Sequence, residues 1–404
     1  MKYVVVLGDG MADLPVESLG GRTPLEVAEK PYMDALCTQG ELGMVHTVPP
    51  GMPPASDVAN LSVMGYDPRV YYSGRSPLEA VSIGVDLQHD DVTFRCNLVT
   101  LSEGEAYPLK TMIDYSSDEI PTEESRVLMA AVQERFSRKN LHFFPGRSYR
   151  HLMVWNEGRN GFTLTPPHDI SGRAITSYLP QGEQSEWFRD MMEQSFGVLD
   201  DHPVNRKRRA AGLRPANSIW LWGEGRKPSL PDFSSRYGVS GAVISAVDLI
   251  KGIGLCAGLD SIEVEGTTGT IHSNLTGKGL AVIEQLEAVK EFVYVHIEAP
   301  DESGHRNELD NKILAIERID REILGPVYRW LQQSGEPFAL MVLPDHPTPM
   351  LYNTHTSDPV PYVIYRSWQP LDFPGRVYTE LCAHQTGIVV EQGHTLMDRF
   401  LKTR

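Results

Sequence analysis

Cysteine is scarce in this chain: 4 in 404 residues, at Cys37, Cys96, Cys256 and Cys382. They lie far apart and form no paired motif. That excludes a disulfide framework or a cysteine knuckle, and free thiols in a reducing cytoplasm are expected. Long apolar runs are also missing. The run Tyr3 to Leu7 is too short for a signal core, and no other stretch approaches the roughly 20 residues a membrane helix needs. A membrane partner is therefore not expected. Positive charge is in deficit, with 37 Lys and Arg against 53 Asp and Glu, a formal net charge of −16. Nucleic acid and anionic lipid are poor partners for such a surface. An anionic substrate must be held by local cations against that field. There is no Gly-x-x-x-x-Gly-Lys-Ser/Thr loop, which removes one common ATP-binding design. Internal repeats and low-complexity tracts are absent.

What is present is strand–helix alternation. The composition, 41% hydrophobic and 22% charged, is that of a soluble globular chain long enough for two or three domains. Tyr3 to Leu7 reads as a buried strand ending in the tight turn Gly8-Asp9-Gly10. Helical spacing follows over Pro24 to Gly40, and Ser56 or Asp57 can cap a short helix carrying Val58, Leu61 and Met64. Later come the strand Ser218 to Trp222, helices around Gly241 to Ile250 and Lys278 to Lys290, and the strand Phe292 to Ile297. An amphipathic helix over Asn311 to Leu324 is stopped by Gly325-Pro326, and the strand Phe338 to Leu343 follows it. Such alternation predicts an α/β fold, a mostly parallel sheet with helices on both faces. From about Asp90 to Arg208 the pattern changes to short polar strands and a helix over Glu123 to Phe136. We read residues 90–208 as an inserted, smaller α+β domain, with 1–89 and 209–404 forming the core.

Residues that bind hard or borderline metal ions sit beside the apolar runs. They are Asp9, Ser56-Asp57, Asp301 with His305, Asp345-His346, and His355 just before Val360 to Tyr365. Each alone suits a turn or a solvated loop. Strand C-termini of a parallel sheet converge on one crevice, so the set can meet at one site. Mixed carboxylate and imidazole donors suit Mn²⁺ or Zn²⁺, and Mg²⁺ less where His predominates. Seven ligands exceed one tetrahedral site and divide naturally between two ions. Ser56 is the candidate nucleophile, since a neighbouring divalent ion lowers the pKa of a hydroxyl. A helix beginning there offers free N–H groups to an anion.

Val6-Leu7-Gly8-Asp9-Gly10-Met11-Ala12-Asp13, Ala55-Ser56-Asp57-Val58-Ala59-Asn60-Leu61 and Gly74-Arg75-Ser76-Pro77-Leu78-Glu79-Ala80 open a series of motifs. It continues with His296-Ile297-Glu298-Ala299-Pro300-Asp301-Glu302-Ser303-Gly304-His305, Leu343-Pro344-Asp345-His346 and His355-Thr356-Ser357-Asp358-Pro359. In order and over nearly the whole chain, the series resembles the archaeal-type cofactor-independent phosphoglycerate mutases of the alkaline phosphatase superfamily. The resemblance implies an alkaline-phosphatase-like fold and two divalent metal ions per chain, Mn²⁺ foremost, with Mg²⁺, Co²⁺ or Zn²⁺ as alternatives. It places Asp9, Ser56, Asp345 and His346 on one ion and Asp301, His305 and His355 on the other. It implies interconversion of 3-phosphoglycerate and 2-phosphoglycerate through a phosphoserine at Ser56, a glycolytic and gluconeogenic step. Some bacterial relatives have been proposed as homoserine kinases, so a phosphotransferase or phosphatase acting on another small hydroxy acid is the alternative. The insertion would act as a lid that keeps water from the phosphoserine. Arg95, Arg147 and Arg150 within it, with Arg75 and Lys278 in the core, are candidates to hold substrate carboxylate and phosphate. The basic run Arg206-Lys207-Arg208-Arg209 is a further candidate, set against a solvated basic face.

Overall fold

The structure, a computed structural model, describes residues 1–401. The chain divides into two compact units, Met1–Tyr72 with the chain from Ser229 onward, and Ser73–Pro228. The second is wider than the 90–208 segment marked by its composition. A strand over Ser218–Arg226 joins its sheet and the helix Ser76–Ser82 packs on it; Ser76 bonds Thr93 through their hydroxyls at 2.7 Å.

In chain order the strands are β1 (Lys2–Gly8) and β2 (Glu41–Val45). In the second unit come β3 (Val92–Leu101), β4 (Met112–Asp114), β5 (Leu141–Phe144), β6 (Arg150–Trp155) and β7 (Ser218–Arg226). The first unit resumes with β8 (Gly241–Ile244), β9 (Asp260–Ile262), β10 (Phe292–Ile297), β11 (Phe338–Leu343), β12 (Val360–Arg366) and β13 (Val389–Val390).

The sheet of the first unit runs β13-β2-β12-β11-β1-β10-β8-β9. Its centre is parallel: β1 lies between β10 and β11, and β10 pairs with β8. Lys2 and His296 apart, these strands are apolar because helices cover both faces. On one face Val4 and Val6 share a core with Met33 and Leu36 of the helix Pro31–Gln39, Val282 and Leu286 of Leu275–Glu287, and Ile316 of Leu309–Arg318. On the other, Tyr3 packs edge-on against Phe400 at 5.6 Å. On that face too, the helix Asp248–Cys256 presses Gly254 so close to Val243 that a Cβ would meet its Cγ1 at 2.4 Å.

One strand breaks the parallel rule, with a consequence for the site. β12 is antiparallel to both β11 and β2, so its beginning lies at the edge where β1, β10 and β11 end. His355, which precedes β12, is thereby delivered to the same end as residues that follow strands.

The second unit is built on an antiparallel sheet, β4-β3-β6-β5, with β7 also paired to β3. Helices Thr122–Phe136 and Glu186–Leu199 close its core, in which Leu128, Val132, Phe188 and Met192 meet Phe94, Met153 and Trp220.

Three elements depart from the sequence reading. Gly241 to Ile250 is not one helix; its first half is the parallel strand β8 and a helix begins only at Asp248. A short β-branched apolar run has no period of its own, and neighbouring strands decide it. Pro24 to Gly40 is two helices, Pro24–Val27 and Pro31–Gln39: Ala28 is already extended, and Pro31 keeps Lys30 out of the helical region. The helix from Leu309 does not stop at Gly325-Pro326. It passes through a π turn over Ile319–Leu324 into the helix Gly325–Ser334. Pro326, which has no N–H to donate, lies just past the π turn, where the hydrogen-bond ladder changes register. Gly325 lies under Tyr32, where a Cβ would come within 2.5 Å of the ring.

Candidate active site

The C-terminal ends of β1, β10 and β11 assemble the strand-end acids and imidazoles in the first unit. Asp9 follows β1 at the turn through Gly10, whose φ is +60° and whose Cβ would lie 2.8 Å from the Cα of Asp301. Only glycine fits there. Asp345 follows β11. Its Oδ1 accepts from the N–H groups of Gly10 (3.2 Å) and His346 (2.9 Å), and its Oδ2 from Asn60 Nδ2 (2.8 Å). Asp301 and His305 lie on the helix Ala299–His305, four residues apart and hence on one face. Asp301 Oδ2 is 3.3 Å from His305 Nε2, its Oδ1 is 3.2 Å from His355 Nε2, and it accepts a hydrogen bond from Thr348.

Ser56 is the first residue of the helix Ser56–Val63 and does not cap it. The cap position is Ala55, with no side-chain bond. The hydroxyl is thus released toward the cluster, 3.2 Å from His346 Nε2. Asp57, the other cap candidate, accepts instead from Val58 N–H and the Tyr72 hydroxyl.

Donor atoms of Asp9, Asp345 and His346 lie within 4.8 Å of one another, and so do those of Asp301, His346 and His355. His346 belongs to both groups. His305 completes the second, its Nε2 lying 2.8 Å from that of His355.

The residues fit divalent cations on three observations. Asp9 Oδ1 is buried without a hydrogen-bond partner, while its Oδ2 lies 3.0 Å from His296 Nε2. His305 and His355 each donate Nδ1–H to a backbone carbonyl, of Asn353 at 2.9 Å and Pro54 at 3.0 Å. Their Nε2 lone pairs therefore face each other across 2.8 Å, a geometry that demands a positive charge between or beside them. Hydrogen bonding to Asp301 pushes the His305 pKa up to about 9. Finally, burial and then the charges of Asp345, Asp301 and Glu298 push Asp9 well above the usual carboxylate range. Burial acts the same way on Asp301, yet hydrogen bonds from His305 and His355 hold it well below that range. Buried carboxylates crowded this closely suit bound cations, which would offset their mutual repulsion.

Sequence reasoning missed two of the groups that hold these ligands, His296 and Lys312, and named Lys278 only as a candidate to hold substrate. His296, inside an apolar strand, reads as core. It is fully buried, with Nδ1 at 3.2 Å from Ser245 Oγ. Burial pushes its pKa down to about 3, so it is neutral and Nε2–H donates to Asp9. Lys312 donates to Asp13 Oδ2 at 2.6 Å and to the Thr348 carbonyl at 2.8 Å, fixing the residue that bonds Asp301. Lys278 is 1% exposed, donates to the His296 carbonyl at 2.7 Å, and is pushed down to about 8 by burial.

In the second unit Arg95 grips Glu79 with two nitrogens, Nε to Oε2 at 2.9 Å and Nη2 to Oε1. Its guanidinium lies 4.7 Å from the Trp222 ring centroid. Burial opposes ionisation of Glu79, but Arg95, then Arg75 and Arg150, lower its pKa. Arg75 precedes the helix Ser76–Ser82 and has a buried Nε without a hydrogen-bond partner. Arg150 is exposed over Tyr149, and Arg147 is exposed in the turn before β6. His168, unremarked in the sequence, stands edge-on to Trp222 at 5.5 Å, its pKa lowered by burial. The basic run Arg206 to Arg209 is largely engaged in ion pairs. Arg208 is buried on Glu124 at 2.6 Å, Arg209 pairs with Asp200 and Glu103, and Arg206 with Asp201.

A mostly parallel sheet between helical layers, with acids and imidazoles at its strand ends and a serine heading a helix, defines an α/β protein with a candidate metal centre at its strand ends. A family model described as 2,3-bisphosphoglycerate-independent phosphoglycerate mutase matches residues 37–205. A protein of Geobacter sulfurreducens described as a probable 2,3-bisphosphoglycerate-independent phosphoglycerate mutase is 49% identical over 99% of this chain and 100% of its own. One of Methanosarcina barkeri described as a 2,3-bisphosphoglycerate-independent phosphoglycerate mutase is 49% identical over 91% of both. A solved Pyrococcus horikoshii protein superposes with a TM-score of 0.83 at 29% identity, covering 99% of this chain and 96% of that one. The fold is also that of the cofactor-independent phosphoglycerate mutase of Thermoplasma acidophilum, with a TM-score of 0.66 at 24% identity over 100% and 99% of the two chains. The chain belongs to the 2,3-bisphosphoglycerate-independent phosphoglycerate mutase family, archaeal type, whose members are isomerases. Among the described residues no helix is long and apolar enough to cross a membrane.

Proposed function

We propose that this chain interconverts 3-phosphoglycerate and 2-phosphoglycerate without 2,3-bisphosphoglycerate, through a phosphoserine at Ser56. The observation that carries the reading is the Ser56 hydroxyl, uncapped at a helix start, 3.2 Å from His346 Nε2 beside two groups of metal-type donors. Two divalent ions per chain are proposed, with Mn²⁺ foremost because imidazole makes up much of the donor set. Asp9, Ser56, Asp345 and His346 would hold one, and Asp301, His305 and His355 the other. When bound, the ions lower the serine's pKa and neutralise the phosphoryl oxygens.

The protein's own groups do the rest. Ser56 Oγ forms a bond to phosphorus as the bond from phosphorus to the C3 oxygen of the substrate breaks, and that oxygen acquires the proton that Ser56 gives up. N–H groups at the start of the helix Ser56–Val63 face the transferring group. Glycerate then presents its C2 hydroxyl, which takes the phosphoryl group back while Ser56 is reprotonated. Arg75, Arg95, Arg147 and Arg150 are proposed to hold the carboxylate, since guanidinium binds it in a fork. Lys278, with its depressed pKa, is the proposed cation for the phosphoryl side. A lid role for the second unit would keep water from the phosphoserine.

An enolase-coupled assay tests this. Metal-loaded protein should convert 3-phosphoglycerate with no bisphosphoglycerate added, and Ser56→Ala should lower kcat by at least about 10³-fold, as removal of a covalent nucleophile does. No conversion with Mn²⁺, Mg²⁺ or Co²⁺ refutes the mutase reading. Phosphate release exceeding isomerisation would instead identify a phosphatase.

A further inference from the structure

Asn60 lies on the helix Ser56–Val63, one turn after Ser56, and is 0% exposed. Its amide makes three hydrogen bonds to three different parts of the site. Nδ2 donates to the Ser56 carbonyl at 2.8 Å and to Asp345 Oδ2 at 2.8 Å. Oδ1 accepts from the Tyr294 hydroxyl at 2.6 Å, across from β10. Two acceptors on the nitrogen and a donor on the oxygen fix which way the amide faces.

We propose that Asn60 is a positioning residue that locks the Ser56 backbone to the Asp345 carboxylate, setting nucleophile and ligand in one frame. The inference rests on the reading of Ser56 as nucleophile and Asp345 as a metal ligand. Asp345 Oδ1 is occupied by two backbone N–H groups. The Asn60 donation settles the direction of Oδ2, and with it the lone pair left for a cation. The same nitrogen holds the first carbonyl of the helix, so a shift of Asp345 and a shift of Ser56 are one motion. His346 also links them, through its Nε2 to the Ser56 hydroxyl and its N–H to Asp345 Oδ1, but Asn60 is what ties the Ser56 backbone to Oδ2. Outer partners of this kind typically govern 10- to 100-fold in metal affinity or rate.

Asn60→Leu keeps the volume and removes all three bonds. Mn²⁺ titration calorimetry of the chelated protein should then show Kd raised about 10- to 100-fold, and kcat should fall more than KM rises. Tyr294→Phe removes only the outer bond and should leave Kd within about threefold of the parent. Should Asn60→Leu fail to fold by circular dichroism, Asn60→Ser supplies a smaller side chain for the same titration. A folded Asn60 variant with Mn²⁺ Kd unchanged, or merely a lower Tm, overturns the proposal. Asp345→Asn separates the two failures. If it leaves Mn²⁺ binding intact, the metal reading itself falls; if it weakens binding while the Asn60 variants do not, only the role of Asn60 falls.

Discussion

Asp13 closes the first motif of the series, but its buried partnership with Lys312 and Glu380 is not announced by any motif. Lys312 Nζ lies 2.6 Å from Asp13 Oδ2, and Glu380 accepts from Asp13 N–H at 3.1 Å and Thr23 Oγ1 at 2.7 Å. Asp13 is 6% exposed and Lys312 is 0% exposed. Removing one partner strands the other, so Lys312→Met should cost about 3–5 kcal/mol in urea unfolding; a loss under about 1 kcal/mol would mean that water or Glu380 compensates. Glu380 is half-buried, and burial pushes its pKa up to about 7 from an ordinary 4.5. The folded state then binds the proton more tightly than the unfolded one. The resulting stability is complete below about pH 4.5 and is lost as pH rises through 7. Glu380→Gln should therefore flatten the fall in urea midpoint between pH 5 and pH 8, and an unchanged slope would refute the assignment. Residues of this kind, with His296 and Asn60, were illegible in the sequence for one physical reason. Their function is exerted on another side chain, and a lone His or Asn among apolar neighbours carries no period or spacing. Asp9, Asp301 and Asp345 were legible because each marks the end of an apolar run.

At the scale of elements, the sequence displayed β1, β10 and β11 as apolar runs but could not give direction to β12. The antiparallel entry of β12 is what brings His355 to the ligands, and pairing direction follows from connections rather than from composition. The π turn Ile319–Leu324 was hidden likewise, since Gly325-Pro326 reads as a stop. Its function is visible in Asp320, which accepts from the N–H groups of Tyr32 at 3.1 Å and Met33 at 2.7 Å. The helix Pro31–Gln39 begins at Lys30 without a side-chain cap of its own, and Asp320 replaces one from a distant segment. Asp320→Ala should cost about 1–2 kcal/mol, the range for losing a helix cap, measured as a shift in urea midpoint with the slope unchanged. Full stability in that variant would show that solvent caps the helix equally well.

The whole molecule carries a net charge of −16, and its most crowded buried carboxylates lie at the one place proposed to receive an anion. Local and global fields therefore point the same way, and cations at the proposed site would serve both an anionic substrate and the stability of the folded state. Cations that bind only the folded form stabilise it by RT ln(1 + [M]/Kd), about 2.7 kcal/mol per site at one hundred times Kd. For a unit of this size that is roughly 5–10 °C in Tm. Chelated protein should therefore melt lower than protein with Mn²⁺, and the shift should grow with Mn²⁺ concentration. Mg²⁺ should give a smaller shift at equal concentration, because imidazole discriminates against it. Asp9→Asn makes the argument two-sided. In chelated protein it replaces a carboxyl whose ionisation burial, Asp345 and Asp301 oppose, so its Tm should rise above the parent's. With Mn²⁺ it lacks a ligand, so its shift should shrink. Calorimetric scans of both proteins in chelator and in Mn²⁺ decide it. If Asp9→Asn lowers Tm in chelator as well, the carboxylate is held by its bond to His296 rather than strained by its neighbours, and crowding is not what makes the site demand metal.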